Sequence, residues 1–332
     1  MKHKLVLGYL LGVCSLLFSS LANSGQWHLQ QDNDIIFGDD GNYTNGMILS
    51  WESTPSRSAI ELPPPLKWQS NFTFHQDDAE LAWGLKLIQQ MWTPGEIEIE
   101  TPQSTDRPYA GYLALESHTA HYGSQWAQKN WFSLGVVGPA SGAQQVQEFV
   151  HKITGSSPPL GWHQQVENQV TLQLAYEVDG LLIRGDLVNP VTSGDSQWEL
   201  SGFSHSQVGN FRTETNLGLT FRWGNDLENS FGRLSHHSGH MGNVASISQA
   251  SSIIFYSRAS IGYRLNDLTL DGSLPYDSQP QLENMQAGLV TGILWSHPTW
   301  SVGWSFNTYS REYRTDEAKW HGYGSLLFSW HL

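Results

Sequence analysis

The sequence predicts an antiparallel transmembrane β-barrel of about twelve strands, and three observations carry that reading. Apolar and polar residues alternate with period two along much of the chain, as strands with two unlike faces require. After the first 22 residues, no stretch approaches the length of apolar sequence a spanning helix needs. Composition is the third observation: 15 Trp and 32 Gly in 332 residues, with only 14% charged, where soluble domains carry about a quarter. Mean hydropathy is nevertheless −0.37, so the missing charge is not replaced by long apolar segments. This composition disfavours a cytosolic enzyme, and it disfavours disorder, which wants few aromatics. A soluble sandwich or barrel would alternate too, with its apolar face buried inside. Here charges are frequent on the polar faces and nearly absent from the apolar ones, and Trp and Tyr sit near strand ends, as a lipid-facing wall with interfacial girdles requires.

The elements follow in chain order. Residues 1–22 read as a signal peptide: Met1 to Lys4 form a basic start, Leu5 to Phe18 an apolar core, and Ser20-Leu21-Ala22 a small-x-small cleavage site. Residues 23–332 are then one exported barrel domain. Cys14, the sole cysteine, lies in that leader, so the mature chain has no disulfide, thiolate metal site or Cys nucleophile. Strands are expected at 26–37, with His28, Asp32 and Asp34 on the inner face, and at 43–53, where Met47, Leu49 and Trp51 face lipid and parity turns Thr44 inward. Strands 80–92 and 109–119 carry Lys86, Gln90 and Glu116 inward. Strands 127–138, 169–178 and 197–207 continue the series, and 211–223 sets Leu217, Leu219, Phe221 and Trp223 against Arg212, Glu214 and Arg222. Strand 252–265 opposes Ile253, Phe255, Ile261 and Tyr263 to Arg258 and Arg264. Strand 285–296 follows, then 299–308 with Trp300, Trp304 and Phe306 outward. The last strand, 322–332, ends on alternating Leu326, Phe328, Trp330 and Leu332, a pattern like the signal read by the outer-membrane barrel assembly machinery.

With a periplasmic N-terminus, the connections 38–42, 93–108, 139–168, 208–210, 266–284 and 309–321 face outward. The third contains a helix. Ala143 to Gly155 spaces Val146, Phe149, Val150 and Ile153 as one apolar face, and Gly155 suits a helix stop. Gln147 and His151, four apart, share a second face, so a helix lying over the barrel mouth would bring one amide and one imidazole to the membrane edge. Asn33 and Asp34 lie near the outer end of the first strand and Thr44 opens the second, which collects oxygen donors at one rim beside the acidic turn Asp39-Asp40-Gly41-Asn42. Such donors suit calcium better than zinc. Two long connections, 54–79 and 224–251, fall on the periplasmic side, where short turns are the rule.

The net charge is −14, about −16 once Lys2 and Lys4 leave with the leader. No basic cluster of the kind that binds nucleic acid is present. An acidic protein beside anionic lipid needs divalent cations between the two. A barrel with these features could be an enzyme, a passive porin-like channel, or a catalytically silent structural or adhesin-like barrel. An open lumen is what the channel requires, whereas the inward Lys86, Gln90, Glu116, Arg212, Glu214 and Arg222 could fill it with ion pairs.

At these same residues the chain resembles the outer-membrane lipid A 3'-O-deacylases of LpxR type. The similarity is carried by Asn33-Asp34 with Tyr43-Thr44-Asn45-Gly46, by Asp106-Arg107-Pro108-Tyr109-Ala110-Gly111, and by Gly135 to Pro139. It continues through Gln147 to Gly155, Gly161-Trp162, Gln165 to Asn168, and Ser310 to Arg314. The resemblance implies a twelve-stranded barrel and calcium-dependent (Ca2+) hydrolysis of an ester-linked acyl chain on lipopolysaccharide at the outer leaflet. It makes His151 the general base, with Gln147, Asn33, Asp34 and Thr44 lining the site and Asn33 and Asp34 on the metal. The second outer loop, Thr93 to Glu100, is acidic here, which leaves Arg107 as the nearby cation for a lipid phosphate. A Ser nucleophile activated by His151 is an alternative to water, with Ser141, Ser156 and Ser157 near in sequence.

Overall fold

In a computed structural model of the chain, the residues described are 25–34, 41–57, 62, 64–74, 78–187, 196–235, 237 and 251–331. The leader and Ile35 to Asp40, which include both aspartates of the acidic turn, lie outside them. Twelve antiparallel strands run β1 (Gly25–Asn33), β2 (Asn42–Ser53), β3 (Glu80–Thr93), β4 (Ala110–Tyr122), β5 (Trp126–Val137), β6 (Gln169–Leu187), β7 (Ser196–Gly209), β8 (Arg212–Gly224), β9 (Ser252–Asp267), β10 (Met285–His297), β11 (Trp300–Ser310) and β12 (Trp320–His331). Each pairs with its neighbours in sequence, and β1 pairs with β12 to close the ring. Closure leaves no unpaired strand edge, which a membrane interior demands. Leu219, Phe221, Trp304 and Phe306 stand exposed on the outer face, with Trp300 half-covered by Trp295 at 4.8 Å.

Inside, polar side chains meet in pairs. Lys86 lies 2.9 Å from Glu116, Lys129 2.8 Å from Glu177 and 3.0 Å from Asp179, and Arg264 2.8 Å from Glu214. Arg258 of β9 reaches across the lumen to Asp179 of β6 at 3.0 Å. These pairs set opposite charges against one another inside the barrel, the condition under which buried charge is tolerated.

Both long connections expected on the periplasmic side have a place. The segment after β8 turns back into the lumen as a plug, with Leu227, Phe231 and Leu234 buried. Its carbonyls at Gly232 and Leu234 each accept from Lys129 Nζ at 2.8 Å. Its side chains Arg233 and His237 lie 3.1 and 2.7 Å from Glu52 and Glu116, and the His237 ring stacks on Trp131 at 4.4 Å. Gly232 is required twice over: its φ is +72°, and a Cβ there would stand 2.0 Å from that of Ala127. Among the described residues, what remains of the lumen is a polar cavity of about 200 Å³ above the plug, unlike the aqueous channel of a large porin. In the other connection, helix α1 (Pro64–Ser70) lies on the outer wall, where Gln69 Nε2 donates to the carbonyls of Ser117 and Asn130 at 3.1 and 3.2 Å. Trp68 and Phe72 of this segment are exposed.

Candidate active site at the outer wall

The site begins with an interruption in the apolar wall. Strand register places Asn33, Asn45, Met91 and Gly111 side by side across β1 to β4, and one step from the rim lie Gln31, Met47, Gln89 and Leu113. Alternation turns both rows outward, so Gln31, Asn33, Asn45 and Gln89 form a polar patch where the rest of the wall is apolar.

The third outer connection packs against this patch. After a 3₁₀ turn (Pro139–Ser141) comes helix α2 (Ala143–Thr154), bounded by Gly142 and Gly155 at φ +71° and +76°, the left-handed conformation that glycine favours. Gln89 Nε2 donates to the Ser141 carbonyl at 3.0 Å, and the Gly138 N–H to that of Gly111 at 2.8 Å. A side chain at 111 would meet Ser141 Oγ at 2.2 Å and Ala143 Cβ at 2.4 Å, so the helix sits as near as it does because that residue is glycine. Ala143, Met91, Tyr109, Ile97 and Trp162 form the apolar cluster beneath it.

Helix α2 therefore lies along the outer wall and not over the mouth, and its amphipathicity is inverted. Phe149 and Ile153 are 64% and 69% exposed, while Gln147 and His151 are 3% and 9% exposed against the wall. A lipid-facing helix loses nothing by turning its apolar side outward, and it can enclose a polar crevice on its other side.

Two hydrogen bonds define that crevice. His151 Nδ1 lies 2.6 Å from the carbonyl oxygen of Ser157. A carbonyl only accepts, so Nδ1 carries the proton and Nε2 keeps the lone pair. The Trp162 indole N–H donates to Gln147 Oε1 at 2.6 Å. None of the three serines offers His151 a hydroxyl: Ser157 meets it through the backbone, Ser156 Oγ lies 2.8 Å from Thr154 Oγ1, and Ser141 Oγ accepts from Ala143 N at 3.4 Å.

The strand-side residues meet one another at the ends of β1 and β2. The Asp34 N–H donates to the Thr44 carbonyl at 3.3 Å, and Thr44 Oγ1 lies 2.7 Å from Thr93 Oγ1. Asp34 and Thr44 are buried and Asn33 half-buried. A β-bulge between Tyr43 and Asn45 interrupts the count by twos. Tyr43, outward by parity with Met47 and Leu49, instead points into the lumen, its hydroxyl donating to Asp32 at 2.7 Å. The structure thus groups His151 with Gln147 on the helix, and Asn33 with Asp34 and Thr44 on the strands. Met91 lies between the groups, paired with Asn45 and packed under Ala143. Among the described residues no three His, Cys, Asp or Glu side chains converge as a metal cluster. The strand group does offer a buried carboxylate beside amide and hydroxyl oxygens, which fits calcium in kind.

Arg107 corrects an expectation. It is fully buried, donating to Glu312 Oε2 at 2.8 Å and to Thr269 Oγ1 at 3.1 Å, and it lies over the Trp92 ring at 5.9 Å. It holds outer loops together and is not presented to a lipid phosphate. Burial would raise the Glu312 carboxyl, but Arg264, Arg107 and Arg212 outweigh that and hold it well below the usual carboxylate range. The sequence reading missed roles for Asn45, Gln89, Met91 and Trp162. The available signal was polar residues, Gln89 and Asn45, at positions that alternation assigns to lipid.

Comparison with known proteins places the chain. It matches a solved structure, LpxR from Salmonella typhimurium, at 15% identity with a TM-score of 0.73, covering 92% of this chain and 99% of that one. The β-domain of the Bordetella autotransporter BrkA is matched at 9% identity and TM-score 0.42, over 92% and 98% of the two chains. No curated protein matches the sequence. The sequence profile described as outer membrane protein LpxR matches residues 5–332, nearly the whole length, and the chain belongs to that family.

Proposed function

We propose that the protein is an outer-membrane hydrolase that removes an ester-linked 3'-acyl or acyloxyacyl chain from lipid A of lipopolysaccharide. Family membership supports this reading, and one observation carries it: an exposed loop helix buries its imidazole and amide against the wall, with the His151 tautomer set for a base. Water attacks the ester carbonyl while His151 Nε2 takes its proton. The Ser157 carbonyl holds the Nδ1–H and steadies the imidazolium that forms. The imidazolium then protonates the departing sugar alkoxide, giving a fatty acid and a deacylated glycolipid. Phe149 and Ile153 keep the helix in the acyl layer, where the ester lies. Asn33, Asp34 and Thr44 would hold calcium, which when bound supplies positive charge against the ester oxyanion and the lipid A phosphates. A cleaved leader and the barrel assembly machinery would deliver the chain to this membrane.

The test is mass spectrometry of lipid A from a host with and without the protein, and with His151→Gln. Wild type should release the acyl chain, and the Gln variant should be slower by at least about 10²-fold, the low end for a positioned base. Hydrolysis by His151→Gln at the wild-type rate would remove the base from the mechanism. Unchanged lipid A with wild type would remove the function.

A further inference from the structure

The Gln147 amide presents a donor that nothing else in the crevice uses. Its Oε1 takes the Trp162 indole N–H at 2.6 Å. Indole nitrogen can only donate, so the amide cannot be reversed without placing two donors face to face. Nε2 is thereby aimed away from Trp162. It is buried and has no hydrogen-bond partner among the described residues. A buried N–H left unmatched is costly, and here it lies one helical turn from His151, on the same face.

Trp162 is itself held in place. It is 1% exposed, its ring lies 4.9 Å from that of Tyr109, and the Tyr109 hydroxyl donates to the Ile97 carbonyl at 3.0 Å. A side chain at Gly161 would stand 2.4 Å from the Tyr109 ring, so the turn carrying Trp162 closes tightly on it.

Resting on the hydrolase reading above, we propose that Gln147 Nε2 donates to the ester oxyanion and that Trp162 is the positioning residue that orients it. When water attacks the carbonyl carbon, the C=O π pair moves onto oxygen. The new oxyanion accepts from Gln147 Nε2–H, while the water proton goes to His151 Nε2. Collapse restores the C=O bond, breaks the bond to the sugar oxygen and returns the proton to that oxygen. No other co-reactant is needed.

The experiment combines substitutions with hydrogen exchange on the full-length protein refolded in detergent, its folding checked by heat-modifiable migration. Gln147→Glu keeps the acceptor and removes the donor, and should lower kcat by at least about 10²-fold, as loss of one oxyanion donor does. Trp162→Phe keeps the ring and frees the amide, and should lower kcat by about 10- to 10²-fold, the effect of a small misplacement. KM and the pH dependence set by His151 should be unchanged. In a Gln147→Ala background, Trp162→Phe should cost less than about twofold more, because the residue it orients is gone. Independently of turnover, the Trp162 indole N–H should exchange slowly in wild type and in Gln147→Glu but fast in Gln147→Ala. Equal losses from Trp162→Phe in both backgrounds, or a shifted pH profile, would overturn the positioning role. Fast indole exchange in wild type would overturn the orientation. Slow exchange in an inactive wild type would instead sink the hydrolase reading, and the oxyanion role with it, and leave the orientation standing.

Discussion

Gly111→Ala tests whether the seating of helix α2 on the wall sets the rate of hydrolysis. The added Cβ would lie 2.2 Å from Ser141 Oγ and 2.4 Å from Ala143 Cβ, where carbon atoms rest at about 3.5–4.0 Å. Ser141 can rotate its hydroxyl away, but Ala143 has no side-chain freedom, so the start of the helix must move outward by roughly 1 Å to restore contact. That motion carries Gln147 and His151 away from the wall, and a displacement of about 1 Å at a reacting group costs on the order of 10²-fold. The strand ladder is untouched, so the barrel should keep its heat-modifiable migration. Acyl release from purified lipid A in detergent is the assay. Adding Ser141→Ala and Ala143→Gly removes both obstructing atoms and should recover most of the rate. A Gly111→Ala protein with wild-type turnover would refute the argument that the helix must sit this close.

Four further outcomes are expected. Chelating calcium should abolish acyl release and leave the barrel folded, as judged by migration and circular dichroism, because ladder hydrogen bonds hold the strands; full activity in excess chelator would exclude the ion. Arg107→Gln should leave KM for lipid A unchanged and render residues 311–319 sensitive to protease, since breaking a buried ion pair costs up to about 3–5 kcal/mol and Glu312 keeps only its other arginines. The Glu312 carboxyl is depressed in the folded state, so its contribution is present above the unfolded value of about 4.3 and is lost as pH falls below it; loop protection that instead falls as pH rises through neutrality would contradict this. Arg233→Ala removes the plug's cation from Glu52 and should raise single-channel conductance in planar bilayers from near closed to measurable, whereas an unchanged trace would mean that the plug's contacts to Lys129, Glu116 and Trp131 hold it without Arg233.

Strands were legible because their two faces meet unlike surroundings. Only β6 runs well beyond its expected end at 178, to Leu187. The adjacent apolar residues Leu181, Leu182 and Ile183 break the alternation at a bulge, and a count by twos stops there. The helix in the third outer loop was legible in extent, but not in orientation. Its periodicity shows that Val146, Phe149, Val150 and Ile153 share a side; it does not say whether that side meets protein or lipid. The plug was unreadable for another reason. It is held by partners such as Glu52, 181 residues from Arg233, and by backbone carbonyls, acceptors that carry no residue-specific mark. Arg107 misled because a cation near an outer loop looks the same in sequence whether it is free or bonded to Glu312, 205 residues away.

The plug also bears on the order of events during biogenesis. Glu52 and Glu116 belong to the early strands, but the side chains that answer them, Arg233 and His237, arrive 181 and 121 residues later. Until that segment docks, among the described residues Glu116 has only Lys86 and Ser133 and Glu52 only His118, so water takes the places that Arg233 and His237 later fill. The segment is tethered between the periplasmic ends of β8 and β9, and it can enter through the mouth after β1 and β12 have met, with no threading through the seam. Closing the ring and sealing the pore are therefore separable steps. Between them the barrel would be an open cylinder, and docking of the segment would narrow it to the cavity that remains.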